Sequence, residues 1–243
     1  MEKVNQIRNI SIWIFILPVV VLNLCLFISI NYHLFENTIF TVNQTGRSSF
    51  TIPYIDGGLS ISRTARTFPA YLLFKPGMIV TSIFLIKYWI ANNSLVQIIN
   101  NENNKNKYFL TFGVMSAIFL ITHSIFLGIH FEYDLYKFFR RFVLLGFILF
   151  EIIAQTLLVI TLFKIKNKIS EIINKKILIL KIILVSILII VAFVSLPILI
   201  SPGNTHFKHA LEWNYFIGVI SFYLLTFLFW KKSQTQVHTP EGV

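Results

Sequence analysis

The apolar positions of this chain gather into six long blocks, 10–31, 69–91, 108–130, 141–163, 177–200 and 211–230, with polar stretches between them. Each block holds 20 to 24 residues, and a helix crossing the ~30 Å hydrocarbon core of a bilayer needs about 20 mostly apolar residues. The pattern predicts an all-α polytopic membrane protein, a six-transmembrane-helix bundle forming a single domain over 1–243. The longest polar connection, 32–68, predicts one long loop between the first two helices, and 231–243 reads as a polar tail. Within the loop, the alternation Thr38-Ile39-Phe40-Thr41-Val42 predicts a short hairpin, and Gly57-Gly58 a tight turn. The Asn-rich stretch 92–107 reads as a solvated connection. Lys3 and Arg8 precede the first block as they would a secretory signal. That block is longer than a signal core and no A-x-A-like cleavage site follows, so it reads as a retained helix, with Pro18 removing one backbone hydrogen bond inside it.

Composition supports the same class. The 243 residues are 56% hydrophobic and 13% charged, against roughly 25% charged in soluble domains, and the mean hydropathy is +0.73. Too few residues lie outside the blocks for a separate catalytic domain, so function belongs to the bundle or to the long loop. The single cysteine, Cys25, excludes an intrachain disulfide. The net charge of +11 could indicate nucleic acid. The cations instead gather at block ends, which points to membrane lipids as partners, with other membrane proteins second and nucleic acid excluded.

Charge also sets an orientation. With both termini cytosolic, twelve Lys and Arg flank the blocks on the inside and seven on the outside, including Arg47, Arg63, Arg66, Arg140 and Arg141. The loop 32–68 is then luminal, and Asn43-Gln44-Thr45 is a glycosylation acceptor on the luminal side, whereas Asn92-Asn93-Ser94 is cytosolic and stays bare. Arg140-Arg141, at the outer start of the fourth helix, run against this bias, and a cation there also opposes the helix dipole. Trp13, Trp89 and Trp230 read as an aromatic belt at the inner interface, and Lys75 and Lys181 as side chains that snorkel to the interfaces.

Few residues carry chemistry. Glu151 stands mid-depth in the fourth block with Gln155 on the same helix face, and ionisable groups within spans are costly and usually turned to the bundle interior. His123 in the third block is a potential partner for Glu151. His206 and His209, near Glu212, have too loose a pattern for a metal site, since no HExxH arrangement is present, so no metal is expected. No G-x-S-x-G elbow, Walker loop or GxGxxG occurs, and no cofactor is expected. Glu151, His123 and His209 are the only catalytic candidates, for a lipid-remodelling reaction. A channel or channel subunit is a third reading, disfavoured by the scarcity of polar residues within the blocks.

Two segments carry a resemblance. Ile52-Pro53-Tyr54-Ile55-Asp56-Gly57-Gly58 resembles the luminal P-Y-I-S-D-x-G stretch of the FRAG/DRAM/SFK family of six-helix membrane proteins. Glu212-Trp213, continued by Phe222-Tyr223-Leu224-Leu225-Thr226-Phe227, is similar to that family's E-W … F-Y-x-L-T-F ending, and Gln155 resembles a recurring family glutamine. The resemblance implies an endomembrane protein of lysosome, Golgi or ER, more than of the plasma membrane. It implies action on autophagy or membrane lipid organisation through lipid and protein contacts, without classical catalysis, or as an alternative GPI-anchor lipid remodelling. Pro53, Tyr54, Asp56 and Gly57 would then shape a luminal cap. Glu212 would accept hydrogen bonds from loop amides, and the Trp213 indole would anchor at the interface.

Overall fold

A computed structural model describes residues 2–100, 108–129 and 134–231. Seven α-helices follow one another among them: α1 (Glu2–Ile30), α2 (Ile61–Ala65), α3 (Tyr71–Asn100), α4 (Tyr108–Phe126), α5 (Asp134–Lys164), α6 (Lys175–Ile200) and α7 (Thr205–Phe229). All except α2 are long and apolar enough to cross a membrane, so the chain is a polytopic helical membrane protein. No strand occurs among the described residues; Ile173 and Trp230 form an isolated bridge.

The helices outrun most of the apolar blocks. An apolar block reports the stretch that sits in hydrocarbon, while backbone hydrogen bonding continues into flanks rich in Glu, Lys, Gln and Arg, which favour helix. Thus α1 starts at Glu2 rather than 10, and α5 at Asp134 rather than 141. Arg8, on that extra length of α1, stacks over Phe227 at 4.3 Å and donates Nε to the Phe227 carbonyl at 3.3 Å. Likewise Asn92 to Asn100 belong to α3, not to a solvated connection. Asn92 itself is 1% exposed with its amide on the Tyr88 carbonyl at 2.8 Å, so this sequon is buried in a helix. The remainder of that stretch, 101–107, and the tail beyond Lys231 lie outside the described residues. In contrast, α4 stops at Phe126, short of 130. Gly128 takes φ +84° there, and a Cβ on it would meet the Arg66 carbonyl at 2.7 Å. A left-handed glycine ends a helix because the missing Cβ removes the steric penalty.

The long helices close a ring, each packed on the next in the order α1, α3, α4, α5, α6, α7 and back to α1, with α2 lying across the end of α1 and α7. The α6 helix is the most open to the surroundings: Phe193 is 70% and Val194 65% exposed, an apolar face suited to lipid. The segment between α1 and α3 makes no hairpin at 38–42. The Thr38 and Thr41 hydroxyls donate to the carbonyls of Phe35 and Thr38, both at 2.8 Å, and turn the chain locally. Such side-chain to backbone bonds compete with a strand ladder. Short 3₁₀ turns at Tyr32–Phe35 and Gln44–Gly46 stand there instead.

The aromatic belt is also only partly present. Trp13 is exposed, but Trp89 and Trp230 are buried in the bundle. Trp89 lies edge-on to Tyr88 and uses the room left by Gly113 of α4, while Trp230 packs edge-on to Phe229.

Candidate functional site

Residues 51–65 fold over one end of the ring and are tied to the start of α7 through their backbone. Asp56 organises the turn: its carboxylate accepts from Thr51 Oγ1 at 2.5 Å and from the amides of Ile52 and Gly58 at 2.9 Å each. These bonds, that of Thr51 foremost, hold Asp56 below the usual carboxylate range. Pro53 opens the turn, its carbonyl accepting from the Gly57 amide at 3.2 Å. Gly57 adopts φ +61° with its Cα against the His206 carbonyl, leaving no space for a side chain.

The carbonyls of this turn then meet donors on α7. His206 Nδ1 lies 3.2 Å from the Asp56 oxygen, and His209 Nδ1 lies 3.0 Å from that of Gly57. Trp213 Nε1 donates to Leu59 at 2.8 Å, and Asn214 Nδ2 to Tyr54 at 2.7 Å. The Tyr54 ring stands edge-on to Trp213 at 4.9 Å, and its hydroxyl meets Asn23 of α1 at 3.2 Å. Glu212 accepts from the amides of Ile61 and Ser62, the first residues of α2. Trp213 is therefore not an interfacial anchor. It is 0% exposed because the cap closes over it. His206 and His209 spend a ring nitrogen each on cap carbonyls, and no cluster of three metal-ligating groups occurs among the described residues.

Beneath the cap lies a cavity of about 150 Å³ lined by α1, α3, α4, α5 and α7. Its walls are apolar, with Pro18, Met78, Leu120, Phe147, Val219 and Ile220 among them. Its polar lining residues are few: Ser62, His123, Glu212 and Tyr215 towards the cap, Thr81 on α3, and Glu151 and Tyr223 at the floor. From Glu212 to Tyr223 is eleven residues along α7, or about 16 Å at the helical rise. That is close to half the ~30 Å hydrocarbon thickness.

At the floor Glu151 is 1% exposed yet fully engaged. Ser116 Oγ donates to Oε2 at 2.6 Å, Gln155 Nε2 to Oε1 at 3.0 Å, and the Tyr223 hydroxyl also donates to Oε1. Gln155 directs its amide to the Val219 carbonyl too, at 3.2 Å, so it fastens α5 to α7. Three donors offset the cost of burying the carboxyl group. His123 is not a partner of Glu151. Because α4 and α5 run antiparallel, the Ser116–Glu151 contact sets the register, and moving seven residues up α4 to His123 moves down the numbering of α5 to Leu144. The histidine thus lies about 10 Å higher. It lines the cavity and makes no hydrogen bond among the described residues.

His209 is outside the cavity, and Asn43 is exposed at the start of its 3₁₀ turn. Lys181 does not snorkel: it is 0% exposed, donates Nζ to Thr226 Oγ1 at 2.7 Å and lies over the Phe222 ring at 3.9 Å. Sequence reasoning misses Ser116 and Tyr223 as partners of Glu151. Tyr223 sits in the F-Y-L-L-T-F run, but nothing in that run says which helix it faces. No protein-family model, curated protein or solved structure matches this chain.

Proposed function

We propose that this is an integral endomembrane protein that acts on membrane lipid organisation by taking a single hydrocarbon chain into the capped cavity, without catalysing a reaction. The cavity is the observation that carries the reading: an apolar, half-bilayer-deep space lined by five helices and the cap. A dry apolar cavity of this volume holds a benzene-sized group elsewhere, so it suits part of one chain and has no room for both chains of a two-chain lipid or for a fused-ring sterol. The excess of Lys and Arg at the end opposite the cap, twelve against seven, supports a luminal cap and cytosolic termini. The resemblance to the FRAG/DRAM/SFK family supports a place in lysosomal, Golgi or ER membranes and a contribution to autophagy through lipid contacts.

The test is photolabelling in nanodiscs with a phosphatidylcholine carrying a diazirine on one acyl chain. Adducts are expected on inward residues of α3, α5 and α7, and Val219→Phe, which narrows the cavity, should remove most of them. Adducts confined to outward residues such as Phe193 and Val194, unchanged by Val219→Phe, would refute the reading.

One observation favours a second reading, lipid remodelling: Glu151 and His123 line the same cavity. A lipid product formed by the purified protein and abolished in Glu151→Gln would establish it in place of the first.

A further inference from the structure

Two arginines gather near the cap end of the cavity with no ion-pair partner among the described residues. On α5, Arg140 lies one turn ahead of Leu144, and Leu144, Phe147 and Glu151 all line the cavity, so Arg140 continues the cavity stripe of that helix just beyond the lining residues, its guanidinium 5.7 Å from the centre of the Tyr136 ring. Arg66 terminates α2, whose Ile61 and Ser62 line the same space. Arg140 is close enough to interact electrostatically with both Arg66 and His123. Burial first, then the charges of Arg140 and Arg63, pull Arg66 below its ordinary range, as expected where like charges are brought together without an anion.

Among the described residues no carboxylate pairs with this group. Among the described residues the one ion pair is Arg47 with Glu36 at 3.6 Å, on the outer surface of the loop. Glu212 is committed to the amides of Ile61 and Ser62, and Glu151 lies far below with its own three donors. The carbonyl end of α4 attracts a cation, but Lys75 already serves it, donating to the Ile125 carbonyl at 3.2 Å. Arg66 and Arg140 make no hydrogen bond to it among the described residues. His123 lines the cavity, and its ring makes no hydrogen bond among the described residues.

We propose that Arg66, Arg140 and His123 bind the oxyanion headgroup, carboxylate or phosphate, of a single-chain lipid whose chain fills the cavity. The proposal rests on the chain-binding reading above and adds the headgroup class. It gives a function to the arginine at the outer start of the fourth span that opposes the charge bias of the chain. Guanidinium groups suit carboxylate and phosphate because their donors match two oxygens at once.

The experiment uses the full chain in neutral phosphatidylcholine nanodiscs and three diazirine probes of one chain length: oleic acid, oleoyl lysophosphatidate and oleyl alcohol. The two anionic probes are expected to label the cavity about tenfold more than the alcohol at equal concentration. Arg66→Gln with Arg140→Gln should bring anionic labelling down to that of the alcohol and leave the alcohol's unchanged. His123→Leu alone, which keeps both arginines, should reduce the anionic preference several-fold and serves where the double variant fails to fold. Equal labelling by acid and alcohol in the wild type overturns the headgroup proposal and leaves the chain reading intact. Displacement of the acid by millimolar inorganic phosphate overturns the lipid nature of the anion, showing a site for the free ion. Absence of labelling by all three probes overturns the chain reading itself.

Discussion

The two ends of the bundle treat buried cations in opposite ways. Away from the cap, Lys181 is closed in completely. Its ammonium rests on Thr226 Oγ1 at 2.7 Å and on the faces of Phe222 and Phe229 at 3.9 and 5.4 Å, with Tyr88 sharing the same threonine at 3.2 Å. Aromatic faces and a hydroxyl stabilise a desolvated ammonium without any carboxylate. Under the cap, Arg140 has one ring beside it, Tyr136 at 5.7 Å, and no hydrogen-bond acceptor for the Arg66 or Arg140 guanidinium occurs among the described residues. A cation whose surroundings are complete holds helices together, whereas cations left around a void await a ligand. Both sets are ionisable groups in or beside the membrane core, which marks functional positions in general. Saturation of their surroundings separates one from the other.

The largest effect that can break this contrast falls on the cap. Trp213→Ala removes a fully buried indole, its bond to Leu59 and its contact with Tyr54. The expected loss is about 3–5 kcal/mol, read as a lower thermal unfolding midpoint in detergent, together with faster proteolysis within 51–65. An intact cap in this variant would mean that the mouth is held from elsewhere and that its cations are not positioned by α7.

A smaller effect sharpens the other side. Lys181→Met keeps the length of the side chain and orphans nothing, because Thr226 retains Tyr88 at 3.2 Å and the Phe222 carbonyl at 2.9 Å. Replacing a buried charge by an apolar group of like volume is often neutral or stabilising. The midpoint should therefore stay within about 1 kcal/mol of wild type. A loss of several kcal/mol would show that Lys181 balances Glu151 across the bundle, and the contrast between the two ends would fail.

The sequence makes some of this legible and hides the rest for physical reasons. Six spans are readable because hydrocarbon imposes length and apolarity on each one separately. Their ends are not, since helix continues through polar flanks and stops where a glycine such as Gly128 allows it. The Glu151–Gln155 pairing follows from spacing on one helix. Ser116 and Tyr223 come from other helices, and spacing says nothing about which helices touch. The same limit misplaces His123, whose depth depends on antiparallel register, and Lys181, which reads as interfacial two turns into α6 but meets α7 there. Arg66 and Arg140, 74 positions apart, become one cluster only after α2 is folded back over the ring.

The smallest expected effect concerns acidity at the cap. Asp56 is exposed, and its three hydrogen bonds, with His206 the nearby cationic partner, hold it below its ordinary value of 3.8. A folded-state value below the unfolded one means that the carboxylate contributes stability fully above the unfolded value and loses it as pH falls through the folded one. From neutrality down to about pH 5 the Thr51–Asp56 turn should therefore remain closed. It should loosen only below the ordinary carboxylate value. Asp56→Asn should flatten that acid limb by lowering neutral stability to the acid level, since an amide nitrogen in place of Oδ2 cannot accept from the Ile52 amide, measured by proteolysis at 51–58 across a pH series. Opening of the wild-type cap in the mildly acidic range, retained in Asp56→Asn, would show that Asp56 is not the group that holds the turn.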